Sequence, residues 1–353
     1  PHHVIYESDK YIIQTISKHS FSNNKAIERI EFSDDSELLY IEEGSFYNSM
    51  LKEMKLPSSL LELKEGWCEG TAYLTELSIS PNNKNYSCVN NQIIVGKSNP
   101  SNETFDVIKF ANRDITRFDV PAHIKHISSY AFSHCFELVN IYFPSNSQLQ
   151  TIGEHAFSFT SIERIQIPKN VEIIERRLFS NCENLEKIKF TSDSKLRVIE
   201  EEAFVHVPLK KLKIPVSMKE FKEGWCQGIQ YLRDIQIPPE NENFIFYQNK
   251  LLIGKSNENS NHDTILFANY LVDDIVIPSF VKYIGSFSFN FCNNLNSISF
   301  NEDSQLISIN SSAFYLSGIQ SLTIPPSLTQ LKDGWCCYAS RLKEVLISPK
   351  NKN

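Results

Sequence analysis

The residues of this chain that could do chemistry are, first, its eight cysteines and a cluster of three histidines. An even number of cysteines is compatible with disulfide bonds if the chain is secreted. His123, His126 and His134 suggest a metal site, but no cysteine pair or second cluster follows at the spacing of a zinc site. We therefore predict that these histidines pack or lie at the surface, and that the protein needs neither a metal ion nor any other cofactor.

Two Gly-Lys-Ser triplets, beginning at Gly96 and Gly254, are similar to the end of a phosphate-binding loop. That motif also needs an upstream glycine and a following helix, and neither triplet has them. We predict that each triplet is a surface turn. No Ser-His-Asp arrangement or carboxylate pair stands out elsewhere in the sequence. The sequence therefore offers no catalytic residue, and we predict that the protein is not an enzyme.

The composition limits the partners that the protein can have. The formal net charge is -7 and the sequence pI is near 5.8, whereas nucleic-acid-binding domains usually carry a basic face. No apolar run approaches the ~18 residues that a membrane-spanning helix requires. We therefore expect neither nucleic-acid binding nor a membrane span in this chain, although its hydrophobic content of 41% is enough for a core.

An internal repeat must position these residues. A phenylalanine or tryptophan recurs before a short polar stretch and a strand-like Leu-x-x-Ile-x-Phe or Leu-x-x-Ile-x-Ile-Pro segment. The marker positions are Phe21, Phe46, Trp67, Phe132, Phe157, Phe179, Phe204, Trp225, Phe289, Phe314 and Trp335. Longer repeats, with an Asp-Ser loop such as residues 33–36, alternate with shorter ones whose strand ends at a proline. The mean period of about 23 residues lies within the range of leucine-rich repeats.

Each repeat contains the pattern of a half-buried strand. In residues 185–190, Ile188 and Phe190 alternate with charged residues, which is the period of two that a strand requires. One coil cannot bury its apolar edge, but stacked coils can. We therefore predict a mainly-β leucine-rich-repeat solenoid: a right-handed superhelix with a parallel concave sheet and short helical turns at the Ala-Phe positions.

The same repeat separates the cysteines. Cys135 and Cys182 take equivalent positions two coils apart, roughly 10 Å, which is beyond the Cα limit of about 7 Å for a disulfide. We predict that the cysteines are buried free thiols that pack as small hydrophobic residues. The state of Cys88, Cys336 and Cys337 is left open.

The ladder of marker residues has two gaps, near residues 81–120 and 239–277, which align with each other. Each gap has a strand–turn–strand pattern, and we predict a hairpin-like insert that keeps the coils stacked. Residues 348–353 match residues 80–85, so a third insert is expected to begin there. We expect residues 1–353 to form a single solenoid domain with about eleven recognisable repeats, in an array that continues beyond its C-terminal end.

Residues 130–135, followed by Leu138, Ile141 and Phe143, resemble the BspA-like class of leucine-rich repeats. The Gly-Trp-Cys segments and the asparagine-rich inserts look most like those of trichomonad members. Further segments that carry the resemblance are 178–182, 288–292, Ile152-Gly153, Ile284-Gly285, Gly66, Gly224 and Gly334. The resemblance implies a cell-surface protein that adheres to host cells or matrix proteins, or that takes part in microbial co-aggregation, a form of self-association.

Residues that flank the inward isoleucines point out of the predicted sheet, and in mid-array they are mostly basic. These candidate partner-binding residues are Tyr142, Arg164, Lys187, Lys189, Lys210, Lys211 and Lys213. One interpretation is an ordinary solvated face. The other is a cationic docking strip for acidic glycans or acidic matrix proteins. At the far end the same rows are polar and neutral, for example Ser297 and Thr323, so the predicted strip is local.

Asn85, Asn102 and Asn310 begin glycosylation sequons, which matter only if the protein is secreted. The functional prediction is a non-catalytic protein-interaction module: a cell-surface or secreted adhesin that binds host-cell-surface or extracellular-matrix proteins, or an acidic glycan. A cytoplasmic scaffold with the same fold is the alternative, because free thiols and the lack of a visible signal peptide fit it equally well.

Overall fold

The computed structural model describes residues 3–6, 9–33 and 35–347, and the regular elements of this part of the chain are β-strands. The chain groups into two compact units, one of Pro1–Val171 with Leu178–Cys182 and the other of Glu172–Arg177 with Glu183–Asn353. Asp34 of the predicted Asp-Ser loop and the third insert predicted at residues 348–353 lie outside the described residues. Within the described part, no helix is long and apolar enough to cross a lipid bilayer.

Apart from the N-terminal pair and the insert, the strands of the first unit alternate between a longer and a two-residue type. They are β1 (His3–Tyr6), β2 (Asp9–Ile12), β3 (Thr15–Ile16), β4 (Arg29–Glu31), β5 (Tyr40–Ile41), β6 (Glu53–Leu56), β7 (Glu62–Leu63), β8 (Glu76–Ile79), β9 (Tyr86–Val89), β10 (Ile93–Gly96), β11 (Val107–Ala111), β12 (Arg117–Asp119), β13 (His126–Ile127), β14 (Asn140–Tyr142), β15 (Thr151–Ile152) and β16 (Arg164–Ile167). β4-β6-β8 and β3-β5-β7 form parallel sheets, as do β12-β14 and β11-β13-β15.

The second unit repeats this arrangement. Its strands are β17 (Ile173–Ile174), β18 (Lys187–Phe190), β19 (Val198–Ile199), β20 (Lys211–Lys213), β21 (Glu220–Phe221), β22 (Asp234–Gln236), β23 (Ile245–Tyr247), β24 (Leu251–Lys255), β25 (His262–Ala268), β26 (Ile275–Ile277), β27 (Tyr283–Ile284), β28 (Ser297–Phe300), β29 (Ser308–Ile309), β30 (Ser321–Ile324), β31 (Gln330–Leu331) and β32 (Glu344–Ile347). β26-β28-β30-β32 pair in parallel, and β17-β19-β21 and β25-β27-β29-β31 are the corresponding short-strand sheets. The predicted mainly-β solenoid of stacked parallel coils is therefore confirmed.

Burial in the longer strands follows the predicted period of two. In β6, Met54 and Leu56 are buried while Lys55 between them is exposed. Met54 lies opposite Leu77 of the next coil in the parallel register, so one apolar row continues through the stack. Each coil therefore completes its neighbour's core, which explains why a single repeat would not be stable.

The marker aromatic residues form the centre of both cores. Phe132, Phe157 and Phe179 stack in the first unit, with ring centroids 5.4 and 5.9 Å apart. In the second unit, Phe314 packs between Phe289 and Trp335, at 5.1 and 6.0 Å. The markers recur because every coil must supply one large ring to this column.

The short helical turns predicted at the Ala-Phe positions are wrong, since the structure describes non-helical turns there. The backbone N–H groups of Phe132 and His134 donate to the carbonyls of Ala156 and Ser158 in the next coil, each at 2.9 Å. An α-helix would need those N–H groups within its own chain segment. His134 also has a φ of 63°, a left-handed conformation that ends a right-handed helix.

The two inserts are antiparallel elements within the parallel stack, and β1 and β2 also pair antiparallel. β9, β10 and β11 pair in sequence order in the first unit, and β23, β24 and β25 do so in the second. Each insert interrupts the short-strand sheet, because β7 and β21 pair with the preceding coil only.

Candidate binding surfaces

The lysines of the predicted strip lie together on the second unit. Lys187 and Lys189 extend outward from β18, and Lys211 and Lys213 extend outward from the neighbouring strand β20. Lys210 precedes β20 and is also exposed. Buried Ile188 and Leu212, the alternating inward residues, hold both strands against the core. The two contacting strands therefore present a compact group of ammonium charges.

One lysine of this group is neutralised within the fold. Lys211 lies opposite Asp234 of the next coil, and its Nζ is 2.9 Å from Asp234 Oδ2. For Lys187, Lys189 and Lys213, the described residues place no carboxylate within ion-pair distance, and the same holds for Lys210. We call these four lysines the basic strip. Its charges are available to a partner because they are not already paired.

Tyr142 and Arg164, the other predicted members, lie on neighbouring strands of the first unit, β14 and β16. The Tyr142 ring is half exposed, and the guanidinium of Arg117 lies 4.9 Å from its centroid. Arg117 was missed in the sequence; it lies opposite Asn140, whereas Asp119 is the residue opposite Tyr142 one coil earlier. Asp119 pairs with Arg117 at 3.2 Å, so this surface is of mixed charge and is not a simple continuation of basic residues.

The three sequon asparagines are half-buried, and each side-chain amide already donates a hydrogen bond within the fold. Asn85 donates to the Leu60 carbonyl at 3.3 Å, and Asn102 donates to Ser98 Oγ at 3.1 Å. Asn310 donates to Glu223 Oε1 at 3.3 Å. A glycan at any of these positions would leave the side-chain nitrogen a single N–H with which to make that bond.

All eight cysteines are free thiols in the structure, and Cys68, Cys135, Cys182, Cys226 and Cys292 are buried, as predicted. Cys88 and Cys336 are half-buried, and Cys337 is exposed. Burial raises the pKa of Cys182 to about 11 and that of Cys226 to about 12. Because the thiolate is the nucleophile, these buried thiols are inert packing groups at neutral pH.

Two of these cysteines meet around a buried arginine that the sequence did not reveal. Arg113 is 3% exposed, and its Nη1 and Nη2 lie 3.8 Å from Cys135 Sγ and 3.7 Å from Cys68 Sγ. The guanidinium also donates to the carbonyls of Thr71 and Ala131, at 3.3 and 3.1 Å. Desolvation nevertheless raises the pKa of Cys68 to about 12. The arginine therefore links coils through their carbonyls and does not activate a thiol.

The histidines have the packing and surface roles that were predicted. His134 stacks on Phe159, with centroids 4.5 Å apart, and burial lowers its pKa to about 4. His126 shares a hydrogen bond of 2.9 Å with Thr151 on the next coil. Throughout residues 3–6, 9–33 and 35–347, no group of three or more His, Cys, Asp or Glu side chains is arranged to hold a metal ion.

Each predicted Gly-Lys-Ser surface turn begins at the end of a strand, with Gly96 in β10 and Gly254 in β24, and a buried aspartate fixes the serine of the turn that follows. Ser98 donates its backbone N–H and its hydroxyl to the two carboxylate oxygens of Asp106, at 2.8 and 2.7 Å. Ser256 and Asp263 repeat this pair in the second insert, with both bonds at 2.8 Å. The glycine serves close packing, because a Cβ on Gly96 would lie 3.0 Å from the Tyr86 ring. Both triplets thus have structural roles.

Each insert also lies beside a cleft, and the two clefts differ in size. In the first unit, Tyr86 and Lys109 fill the space next to Trp67, and the cavity that remains holds about 10 Å³. In the second unit, Phe244 and Leu266 take the equivalent positions, and the cleft beside Trp225 has a volume of about 470 Å³. Its walls come from β21, the turn at residues 255–257 and the coil that follows the insert.

Comparisons with known proteins agree with this architecture. A family model described as BspA type leucine rich repeat region matches the chain in six copies, over residues 7–93, 103–251 and 263–353. The pneumococcal vaccine antigen PcpA has a similar structure, with a TM-score of 0.53 and 18% identity over 99% of this chain and 71% of that chain. A leucine rich cell surface protein from Faecalibacterium prausnitzii gives a TM-score of 0.48 and 16% identity, over 99% and 86% of the two chains. At these identities the likeness concerns the fold alone, and no curated protein sequence matches the chain.

Proposed function

The chain belongs to the BspA-type leucine-rich repeat family, and from that premise we propose that it is a non-catalytic adhesin, displayed at a cell surface or secreted, that binds acidic partners through the basic strip. The observation that carries this proposal is the group of four exposed lysines on or beside β18 and β20 with no carboxylate partner in the described structure. The partner classes that fit are sulfated glycans and acidic proteins of a host-cell surface or extracellular matrix. Tyr142 and Arg164 contribute a second, mixed-charge contact area on the first unit.

Electrostatics supports this choice of partner. The protein is acidic overall, with a formal net charge of -7, so a local group of unpaired lysines stands against a negative background. Such a group attracts an acidic surface over about one Debye length, and salt weakens that attraction. For the coils of each unit we also propose the right-handed winding that leucine-rich repeats imply, with the longer strands on the inner, concave face.

The test is binding of the purified chain to immobilised heparin, as a sulfated glycan, and to acidic matrix proteins at low and high salt. The K187E/K189E/K210E/K213E variant should bind about tenfold more weakly, or worse, because each reversal replaces attraction with repulsion. The matched control K55E/K84E/K332E/K343E changes the net charge equally at exposed lysines elsewhere. If both variants bind like the unmodified chain, the proposal is wrong.

A cytoplasmic scaffold is the second candidate, and a specific observation favours it. All eight cysteines are free, including exposed Cys337, as expected in a reducing compartment. Occupancy of Asn85, Asn102 and Asn310 on the native protein separates the candidates. A glycan on any of them requires passage through the secretory pathway, whereas three bare sequons with reduced cysteines would support the scaffold.

A further inference from the structure

The short-strand sheet of the second unit has an open edge where the insert interrupts it. Between β19 and β21 the sheet is complete. The carbonyls of Arg197 and Ile199, on or beside β19, accept the N–H groups of Lys219 and Lys222, at 2.8 and 2.9 Å. One coil further, the corresponding groups are the Lys219 carbonyl and the N–H and carbonyl of Phe221. No hydrogen bond within the described structure reaches these three groups. β21 therefore ends the sheet with an unused donor and two unused acceptors.

The first unit shows how the same edge can be closed. There the N–H of Leu63, which corresponds to Phe221, donates to the hydroxyl of Tyr86 at 2.8 Å. Burial raises the pKa of Tyr86 to about 12, so this hydroxyl stays neutral. Lys109 lies over the same space, and burial lowers its pKa although Glu65 nearby opposes that shift. Two side chains thus occupy the place of the missing strand.

The two side chains that close the edge in the first unit, Tyr86 and Lys109, are replaced by shorter ones in the second unit. Phe244 replaces Tyr86 and lacks the hydroxyl that would accept the Phe221 N–H. Leu266 replaces Lys109 and leaves the space above the edge empty. The resulting cleft of about 470 Å³ falls within the range of pockets that bind ligands, roughly 300–1,000 Å³.

The lining of this cleft defines the chemistry of its occupant. Trp225, Phe244 and Leu266 provide an apolar floor and wall, and Lys219 and Lys255 stand at its rim. These two lysines make no ion pair with any residue that the structure describes. Glu220 pairs with Lys222 at 2.8 Å. Glu223 accepts hydrogen bonds from Ser286 and Asn310 but keeps its negative charge, so the three lysines and two glutamates of the cleft leave one net positive charge. A ligand that fits this cleft therefore supplies main-chain hydrogen-bonding groups, apolar side chains and negative charge.

We propose that this cleft binds an extended, acidic segment of a partner protein by strand addition to β21. A main-chain carbonyl of the segment takes the place of the Tyr86 hydroxyl and accepts the Phe221 N–H. Alternate side chains of an extended segment point to opposite sides, so apolar residues enter the cleft over Phe244 while acidic residues meet Lys219 and Lys255. Main-chain pairing of this kind gives affinity, and the side chains give specificity. This site is separate from the basic strip and does not depend on the adhesin proposal.

The test exchanges the closing residues between the two inserts. The probe is a fluorescein-labelled, end-capped decapeptide of alternating valine and aspartate, followed by fluorescence anisotropy. The variant F244Y/L266K, which copies the closed first insert, should bind the probe about tenfold more weakly. Its added lysine would strengthen a purely electrostatic attraction, so a loss identifies the closed edge as the cause. Thermal unfolding of the variant shows whether it remains folded.

The reverse exchange Y86F/K109L opens the first insert and should raise the stoichiometry from one peptide per chain towards two. In the unmodified chain, the peptide should slow amide hydrogen exchange at Phe221. The strip variant K187E/K189E/K210E/K213E should bind the peptide normally, which separates this site from the basic strip. Absence of binding at millimolar peptide, or equal binding by F244Y/L266K and the unmodified chain, would overturn the proposal.

Discussion

The hydroxyl of Tyr86 accepts the backbone N–H of Leu63 at 2.8 Å, and this bond closes the strand edge beside the first insert. Both residues are buried, so water cannot replace the hydroxyl if it is removed. The bond joins the insert to the coil before it and thereby continues a ladder that the insert would otherwise break.

Removal of this hydroxyl should destabilise the first unit. We expect Tyr86→Phe to cost about 1–3 kcal/mol, because it leaves a buried N–H without an acceptor. Amide hydrogen exchange at Leu63 should accelerate by a corresponding factor. The matched change Phe244→Tyr should instead slow exchange at Phe221, since it supplies the missing acceptor. Unchanged exchange at Leu63 in Tyr86→Phe would show that the bond does not stabilise this edge.

The column of aromatic markers should dominate the stability of each unit. Phe157 is fully buried between Phe132 and Phe179, and Phe157→Ala should cost about 3–5 kcal/mol. Phe136 is 51% exposed, so the control Phe136→Ala should change stability by no more than about 0.5 kcal/mol. Urea denaturation followed by tryptophan fluorescence compares the two. Similar midpoints for both variants would refute the packing role of the column.

Arg113 should be required for its charge and its planar geometry together. Arg113→Met keeps most of the side-chain length but leaves the Thr71 carbonyl unpaired, at about 1–3 kcal/mol. It also removes one of the two hydrogen bonds to the Ala131 carbonyl, which still accepts the Ala111 N–H. Arg113→Lys should recover little of this loss, because an ammonium lacks the rigid fork of the guanidinium. Exposed Arg29→Met is the control. A Met variant as stable as the unmodified chain would mean that water or a shifted backbone satisfies the Thr71 carbonyl.

His134 should make stability depend on pH. Its pKa in the folded chain, about 4, lies below the ordinary value of 6.5 because of burial. The unfolded state therefore takes up a proton first as the pH falls, and stability should decline between pH 6.5 and about 4. The shift corresponds to an upper limit of about 3 kcal/mol.

A natural replacement for His134 exists in the second unit, where Phe291 has the equivalent position and a similar positive φ of 54°. Unfolding of His134→Phe should lose this component of the pH dependence, whereas the control His19→Phe, at an exposed histidine, should retain it. If His134→Phe follows the same pH curve as the unmodified chain, protonation of His134 is not the cause of the decline.

The sequence was sufficient for the solenoid because repetition carries the necessary information. The recurring phenylalanine and tryptophan markers and the period of two in the strands correspond directly to the buried columns and rows. The helical turns were predicted wrongly because local pattern does not show that the N–H of Phe132 donates to the next coil. Contacts between residues far apart in sequence, such as Arg113 with Cys68 and Cys135, gave no signal at all.

The candidate sites were only partly accessible to sequence reasoning. The lysines of β18 and β20 could be placed on one face, because outward positions follow from strand periodicity. Neutralisation of Lys211 depends on its register with Asp234, which a sequence does not specify. The edge at β21 is open because Phe244 lacks the hydroxyl that Tyr86 has. The sequence shows this difference, but only the structure shows that the Tyr86 hydroxyl accepts a backbone N–H.

The most direct test of the adhesin account is adhesion of the purified chain to epithelial cells at increasing salt, with K187E/K189E/K210E/K213E and the control K55E/K84E/K332E/K343E measured in parallel. We predict that the unmodified chain and the control bind at low salt and are released as salt rises, while the strip variant fails to bind. Equal binding by all three proteins, or binding that is independent of salt, would contradict adhesion through the basic strip.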